Sequence, residues 1–251
     1  MVRIAVNGAL GQMGREVLAQ AADAADLVVV AAIDPGASDS PGTLASIDEV
    51  SDDVDVIVDF SRPAALPGLL SYATAHGTAL ALGTTGYGED DKRLIEEAAR
   101  QCAVFVAPNM SYGVAVLTQL VRQATAALTP GFDVEISETH HRRKVDAPSG
   151  TALMLADAVA SSAAEPMHVV LDRPARSEAR DAHEIGVVAL RGGTVAGQHT
   201  VGFYGDDETI ELRHTAQSRR ALASGALRAV RFVTGKAPGL YSMDQLIAAL
   251  T

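Results

Sequence analysis

Apolar and polar positions follow two regimes along this chain, and the change falls near Phe132. Before it, apolar runs at 2–6, 27–33, 54–58, 78–82 and 103–106 are too short for helices, and most are bounded by Gly or Asp. Between them, apolar residues return at helical spacing. These segments are Val17, Leu18, Ala21 and Ala22, a stretch through His76, the charged amphipathic 89–101, and the apolar 114–128. Strands alternating with helices predict a right-handed parallel α/β sheet. Residues 35–53, rich in Gly, Ser, Pro and Asp, read as a loop with one turn of helix near Leu44. Beyond Phe132, strand-like runs at 134–138, 167–171, 185–190, 197–203 and 208–214 predict an open, mostly antiparallel sheet. Arg191-Gly192-Gly193 and Gly205-Asp206-Asp207 read as hairpin turns, and 172–181 as a charged loop. Helical period returns in 218–233 and in a short helix at 244–250.

The first strand breaks at Asn7-Gly8-Ala9-Leu10-Gly11-Gln12-Met13-Gly14. A strand, a glycine loop and a helix in this order let the backbone approach a pyrophosphate at the helix N-terminus. The second strand ends in Asp34, about 20 residues beyond the last loop glycine, where a carboxylate accepts from ribose hydroxyls. Together these point to a dinucleotide. Asp59 and Ser61 end the third strand at the same edge, where helix capping ahead of Pro63 is an equal reading. Gly83-Thr84-Thr85 ends the fourth strand, and Ala107-Pro108-Asn109-Met110 follows the fifth.

A second concentration of chemistry lies at 135–151. His140, His141, Arg142, Arg143 and Lys144 are consecutive, and a bound anion would offset their mutual repulsion. Ser149 then reads as the N-cap of a helix carrying Leu153, Met154, Ala156 and Val159, with Gly150 and Thr151 in its first turn. The unpartnered N–H groups there form a second anion site. On residue types alone, a solvated charged face and a plain helix cap account for the same run.

Composition narrows the partners. The chain has 251 residues and a formal net charge of -11, which argues against a nucleic-acid backbone or an anionic membrane. Its one cysteine, Cys102, excludes an internal disulfide or a cysteine metal cluster and fits a reducing cytoplasm. No apolar run is long enough for a membrane span, and Asn7-Gly8 interrupts the start too early for a signal peptide. Adjacent histidines flanked by cations do not make a zinc site, so no metal is expected.

The stretch Glu138-x-His-His-x-x-Lys-x-Asp-Ala-Pro-Ser-Gly-Thr-Ala152 resembles the signature of the 4-hydroxy-tetrahydrodipicolinate reductase family of diaminopimelate and lysine biosynthesis. The resemblance implies a Rossmann-like nucleotide domain at 1–108 and 219–251, and an α+β substrate-binding and tetramerisation domain at 109–218. It implies an NAD(P)H-dependent reductase of a small dicarboxylate, assembled as a homotetramer. His140 would be the general acid/base, Lys144 the proton donor, and His141, Gly150 and Thr151 the substrate-carboxylate site. Gly8 to Met13 and Asp34 would hold the cofactor, with Gly83-Thr84-Thr85 and Ala107 to Met110 at its nicotinamide half. Gln12 stands where many relatives carry Arg or Lys, and Pro35 where some carry another Arg, so NADH is expected over NADPH. Two alternatives remain, a paralogue reducing another cyclic imino or keto dicarboxylate, and a dinucleotide-binding redox sensor without catalysis.

Overall fold

The computed structural model describes residues 1–51, 53–171 and 173–249. The chain divides into two units, Met1–Tyr112 with Arg219–Thr251, and Gly113–Ser218. In chain order the first unit begins with β1 (Val2–Asn7), α1 (Gln12–Ala22), β2 (Leu27–Ile33), β3 (Val56–Asp59), α2 (Leu66–His76), β4 (Ala79–Leu82), α3 (Glu89–Ala98) and β5 (Ala103–Val106). The second holds α4 (Tyr112–Leu128, entered at Gly113), β6 (Asp133–His140), α5 (Gly150–Ser162), β7 (His168–Val170), β8 (Glu184–Arg191), β9 (Gly197–Tyr204) and β10 (Thr209–Ala216). The first closes with α6 (Arg220–Val233), β11 (Gly239–Tyr241) and α7 (Met243–Ala248). Leu250, the expected end of the last helix, and Asp172, at the start of the charged loop, lie outside the described residues.

In the first unit six parallel strands run in the order β11-β5-β4-β3-β1-β2. Every residue of β3 and β4 is buried, because both faces are covered. Ala5, Ile57, Leu80 and Leu82 pack with Leu66, Leu69 and Ile95 of α2 and α3. Ile4, Val6, Val56 and Val58, of opposite parity, are buried too, and α1 and α6 pack on each other and on the sheet. Strand order reverses beside β1, so the loops after β1 and β3 flank the switch point where open α/β sheets bind ligands.

The first unit extends to Tyr112, four residues beyond the expected boundary at 108. Close packing explains this. A Cβ on Gly225 of α6 would fall 1.7 Å from the Met110 carbonyl oxygen, and the Arg228 guanidinium lies over the Tyr112 ring, 5.0 Å from its centroid. The expected turn of helix near Leu44 is the short 3₁₀ helix Ile47–Glu49, with another at Ala37–Asp39, while Leu44 itself bridges in parallel to Ile33. β11, three residues with no clear pattern of their own, adds an edge strand to β5.

In the second unit five strands run in the order β10-β9-β6-β8-β7. The sheet is mixed rather than mostly antiparallel, since β6 pairs in parallel with β8, and β8 with β7. Gly205-Asp206-Asp207 does join an antiparallel hairpin, β9 to β10. Arg191-Gly192-Gly193 does not, because β6 lies between β8 and β9. That connection instead crosses the end of β6, where Gly192 N–H donates to His140 O (2.9 Å) and Arg142 N–H to Gly193 O (3.3 Å).

One face of this sheet, Val134, Ile136, Ile185, Val187, Val201 and Phe203, packs on α4 and α5. The buried side of α5 is Ala152, Leu155, Ala156, Ala158 and Val159, not the expected stripe, and Leu153 is 44% exposed. The loop after β7 is held by ion pairs from Arg173 and Arg180 to Glu135 and from Arg173 and Arg176 to Glu184.

Candidate active site

Alternation along β6 points Val134, Ile136 and Glu138 into the same core, so a carboxylate occupies a position that its neighbours fill with hydrocarbon. Its side chain is 0% exposed. Such a group persists only if its acceptor capacity is met. Here it is met by four donors. Oε2 accepts from His140 Nδ1 (2.6 Å) and Arg191 Nη1 (2.8 Å), and Oε1 from Ser149 N–H (2.9 Å) and Arg191 Nη2 (2.7 Å). Burial pushes the Glu138 carboxyl up, but the hydrogen bonds of Arg191, His140 and Ser149 together outweigh it and hold the group below its ordinary value. Glu138 is therefore an anion that only accepts, and His140 Nδ1 carries the proton.

Strand register brings the rest together. Arg191 of β8 stands beside His140, and His199 of β9 beside Glu138. The His140 and His199 rings meet edge to face at 5.1 Å. His199 Nε2 lies 3.1 Å from Ser149 Oγ, and burial, followed by the charge of His140, drives its pKa down to about 4. His199 is thus neutral at physiological pH. A Cβ on Gly197 would stand 3.0 Å from His140 Nε2, so a glycine keeps space beside the nitrogen that Glu138 does not use.

Ser149 caps α5 as expected, its hydroxyl accepting from Ala152 N–H at 3.2 Å. Gly150 and Thr151 form the first turn, and nothing stands within 4 Å of a Cβ placed on Gly150. Between β6 and α5 the chain turns through His141 and Lys144, whose N–H donates to His141 O (3.0 Å). Lys144 Nζ pairs with Asp146 (2.8 Å), which holds that carboxyl below its usual range. Arg191 Nη2 also donates to Asp146 O (2.6 Å), tying this turn to β8. Sequence reasoning had quoted Glu138 only as part of a motif, placed Arg191 in a turn and passed over His199. The available signal was parity, since Glu138 and His199 both fall on core-facing positions of their strands.

In the first unit the other expected residues collect at the carboxyl edge of the parallel sheet. Gly8 to Gly11 follow β1, Gln12 and Met13 open α1, Asp34 follows β2, Gly83 to Thr85 follow β4, and Ala107 to Met110 follow β5. Gly8 has φ +80°, and a Cβ on Gly14 would fall 2.1 Å from Gly8 O, so the loop folds tightly onto the helix start. Gly11, the N-cap, offers no side-chain cap, and the first turn carries no acidic residue, which suits a pyrophosphate. Asp34 accepts from Leu10 N–H (3.1 Å) and Gly36 N–H (3.0 Å), fixing its carboxylate against the loop. Asp59 has a structural role, holding Asn7 (2.7 Å), Ser61 (2.5 Å) and Tyr87 (3.3 Å), and it caps no helix. Thr84 Oγ1 accepts from Ser61 N–H (2.8 Å). Among the described residues no group of His, Cys, Asp and Glu is placed to hold a metal, and no helix is long and apolar enough to cross a membrane.

The side chains around His140 offer proton donors and anion ligands but no redox-active group, and a reduction with such groups would draw its hydride from a nicotinamide cofactor. The class is a dinucleotide-dependent oxidoreductase. Family models described as dihydrodipicolinate reductase, N-terminus and C-terminus, match residues 2–110 and 113–247, and the chain belongs to that family. It is 41% identical over 249 residues to the 4-hydroxy-tetrahydrodipicolinate reductase of Caldanaerobacter subterraneus subsp. tengcongensis, covering 98% of each chain. Against the Campylobacter fetus subsp. fetus enzyme of the same name the figures are 43% over 253 residues, with 97% of this chain and 98% of that one covered. Among solved structures, the dipicolinate-bound dihydrodipicolinate reductase from Paenisporosarcina sp. TG-14 matches 96% of this chain and 97% of its own with a TM-score of 0.79 at 24% identity, and so shares the fold. Neither a paralogue for another diacid nor a non-catalytic sensor is favoured by these relatives.

Proposed function

We propose that His140 is the general acid/base and Lys144 the proton donor in the NAD(P)H-dependent reduction of 4-hydroxy-tetrahydrodipicolinate to tetrahydrodipicolinate, a step of diaminopimelate and lysine biosynthesis. The observation that carries this reading is the four-fold satisfied Glu138, which presents His140 beside Lys144's turn and the start of α5. In the net reaction the substrate's 4-hydroxyl leaves as water, and a hydride and a proton enter. When bound, the reduced nicotinamide supplies the hydride. His141, Gly150 and Thr151 hold a substrate carboxylate, and the local positive charge draws electrons from the ring and makes a ring carbon electrophilic. Lys144, anchored by Asp146, delivers the proton, and His140 exchanges protons through Nε2.

The basic run at 140–144 and the first turn of α5, each suited to an anion, support a two-point grip on a dicarboxylate. Pyridine-2,6-dicarboxylate is expected to compete with substrate, and the 2-monocarboxylate to bind far more weakly. Steady-state inhibition constants test this, and equal potency of the two acids would contradict the grip.

The cofactor is held by the backbone of Gly8, Ala9, Leu10, Gly11, Gln12 and Met13, by Asp34 at the ribose, and by Gly83, Thr84, Thr85 and Ala107, Pro108, Asn109 and Met110 toward the nicotinamide. We read NADH as preferred and NADPH as the lesser cofactor. Asp34, pinned by two N–H donors, repels a 2′-phosphate, while Gln12 and Pro35 offer it no cation. A missing charge-assisted contact is worth about 1.5–3 kcal/mol, or roughly 10- to 150-fold. NADH should exceed NADPH in kcat/KM by that order, and initial rates with each nucleotide decide it. A higher value for NADPH would reverse the assignment.

Assembly as a homotetramer through the second unit's sheet is supported by Val188, Leu190 and Tyr204, which are 48%, 54% and 41% exposed. A reducing cytoplasm is supported by the lone Cys102, buried with its thiol pushed up by desolvation.

A further inference from the structure

We propose that Glu138 and Arg191 form a positioning dyad that sets the tautomer of His140 and, through the same carboxylate, fixes the start of α5. The inference rests on the reading of His140 as the acid/base and goes beyond it to the groups that make the reading work. A buried carboxylate without a counter-ion takes up a proton. Protonated, Glu138 could donate to His140, whose Nδ1 would then be an acceptor and whose Nε2 would hold its proton permanently. Arg191 prevents this exchange of roles. Its two Nη groups grip both Glu138 oxygens at 2.8 and 2.7 Å, a bidentate geometry that keeps the group an acceptor. Nδ1–H is thereby committed to Glu138, and the variable proton resides on Nε2, the nitrogen facing the space that Gly197 leaves.

The neighbouring His199 and Lys144 are engaged elsewhere. His199 meets His140 only ring to ring and directs Nε2 at Ser149 Oγ, and His214 lies beyond it on β10. Lys144 is paired with Asp146. The second function of the dyad follows from Oε1, which accepts Ser149 N–H at 2.9 Å. Ser149 is the N-cap of α5, so one carboxylate aligns the proton-transfer group with the helix turn that carries Gly150 and Thr151. Arg191 extends the tie to the Lys144 turn through Asp146 O.

The test is Glu138→Gln, whose amide oxygen still accepts from Ser149 but whose amide nitrogen cannot accept from His140. The expected result is a kcat about 10²- to 10³-fold lower with substrate and cofactor KM little changed. Long-range ¹H–¹⁵N correlations of the His140 ring should show Nδ1–H in the wild type and Nε2–H in the variant. In a His140→Gln background, Glu138→Gln should slow turnover no further, because the two act as a unit. Arg191→Lys, which keeps the charge without the fork, should also lose kcat. Multiplying kcat losses in the double variant, or one His140 tautomer in both proteins, would overturn the dyad. Near-wild-type turnover of His140→Gln alone would instead remove the acid/base reading, with the tautomer spectra still judging the dyad. If Glu138→Gln does not fold, Glu138→Gln combined with Arg191→Met removes both charges together and carries the same expectations.

Discussion

Lys144→Ala is expected to lower turnover by about 10²- to 10⁴-fold, the usual worth of a positioned proton donor, while leaving NADH binding unchanged. The expectation comes from how little freedom this ammonium has. Its backbone N–H closes a turn on His141 O, and Nζ is tethered to Asp146 at 2.8 Å. Asp146 is in turn held through its carbonyl by Arg191. A long side chain anchored at both ends has already lost most of the rotamer entropy that a free lysine would lose on reaching the transition state. If Lys144 is the proton donor proposed above, its effect appears during transfer, and deleting it should lower kcat more than it raises substrate KM. The residues proposed to hold the cofactor all lie in the other unit, and cofactor affinity is expected to stay constant. Steady-state turnover and equilibrium NADH titration of the variant test both halves, and a variant turning over at near-wild-type rate would remove Lys144 from the chemistry.

Much of the first unit was readable from the chain because a doubly covered parallel sheet leaves a local trace, short and mostly apolar runs, most of them bounded by Gly or Asp. The glycine loop, the Asp34 edge and the Ser149 cap are likewise local, each set by residues within a few positions of one another. What escaped depends on partners distant in sequence. Insertion of β6 between β8 and β9 is a pairing choice that no turn residue encodes, so Arg191-Gly192-Gly193 looked like a hairpin. The three residues of β11 have too little pattern to stand out without β5 beside them. Helix α5 is apolar nearly all round, so periodicity could not distinguish exposed Leu153 from buried Leu155. Arg191 was misread for the same reason, since its significance lies in Glu138, 53 residues away.

Arg191→Met should produce a large loss of stability, about 3–5 kcal/mol at pH 7, by leaving Glu138 without its counter-ion and short of two donors in a site where its side chain is 0% exposed. The dependence on pH separates this from lost packing. In the wild type the Glu138 carboxyl is held below its ordinary value, so its contribution is present above the unfolded-state pKa and is lost as pH falls through the lower folded value. In the variant the two Arg191 hydrogen bonds are gone while burial still pushes the carboxyl up. Where burial prevails over the His140 and Ser149 hydrogen bonds that remain, the sign reverses, and the variant binds a proton on folding and regains stability as pH is lowered. The difference between the two proteins should therefore be largest near neutrality and shrink toward pH ~5. His199 and His214, both depressed by burial, destabilise the two proteins alike as acid charges them, so they cancel in the difference. Urea unfolding of both proteins at pH ~7 and ~5 measures it through the midpoint and slope. A difference below about 1 kcal/mol, within the range of an exposed ion pair, or one that grows toward acid, would mean that Arg191 is not the counter-ion that keeps Glu138 ionised.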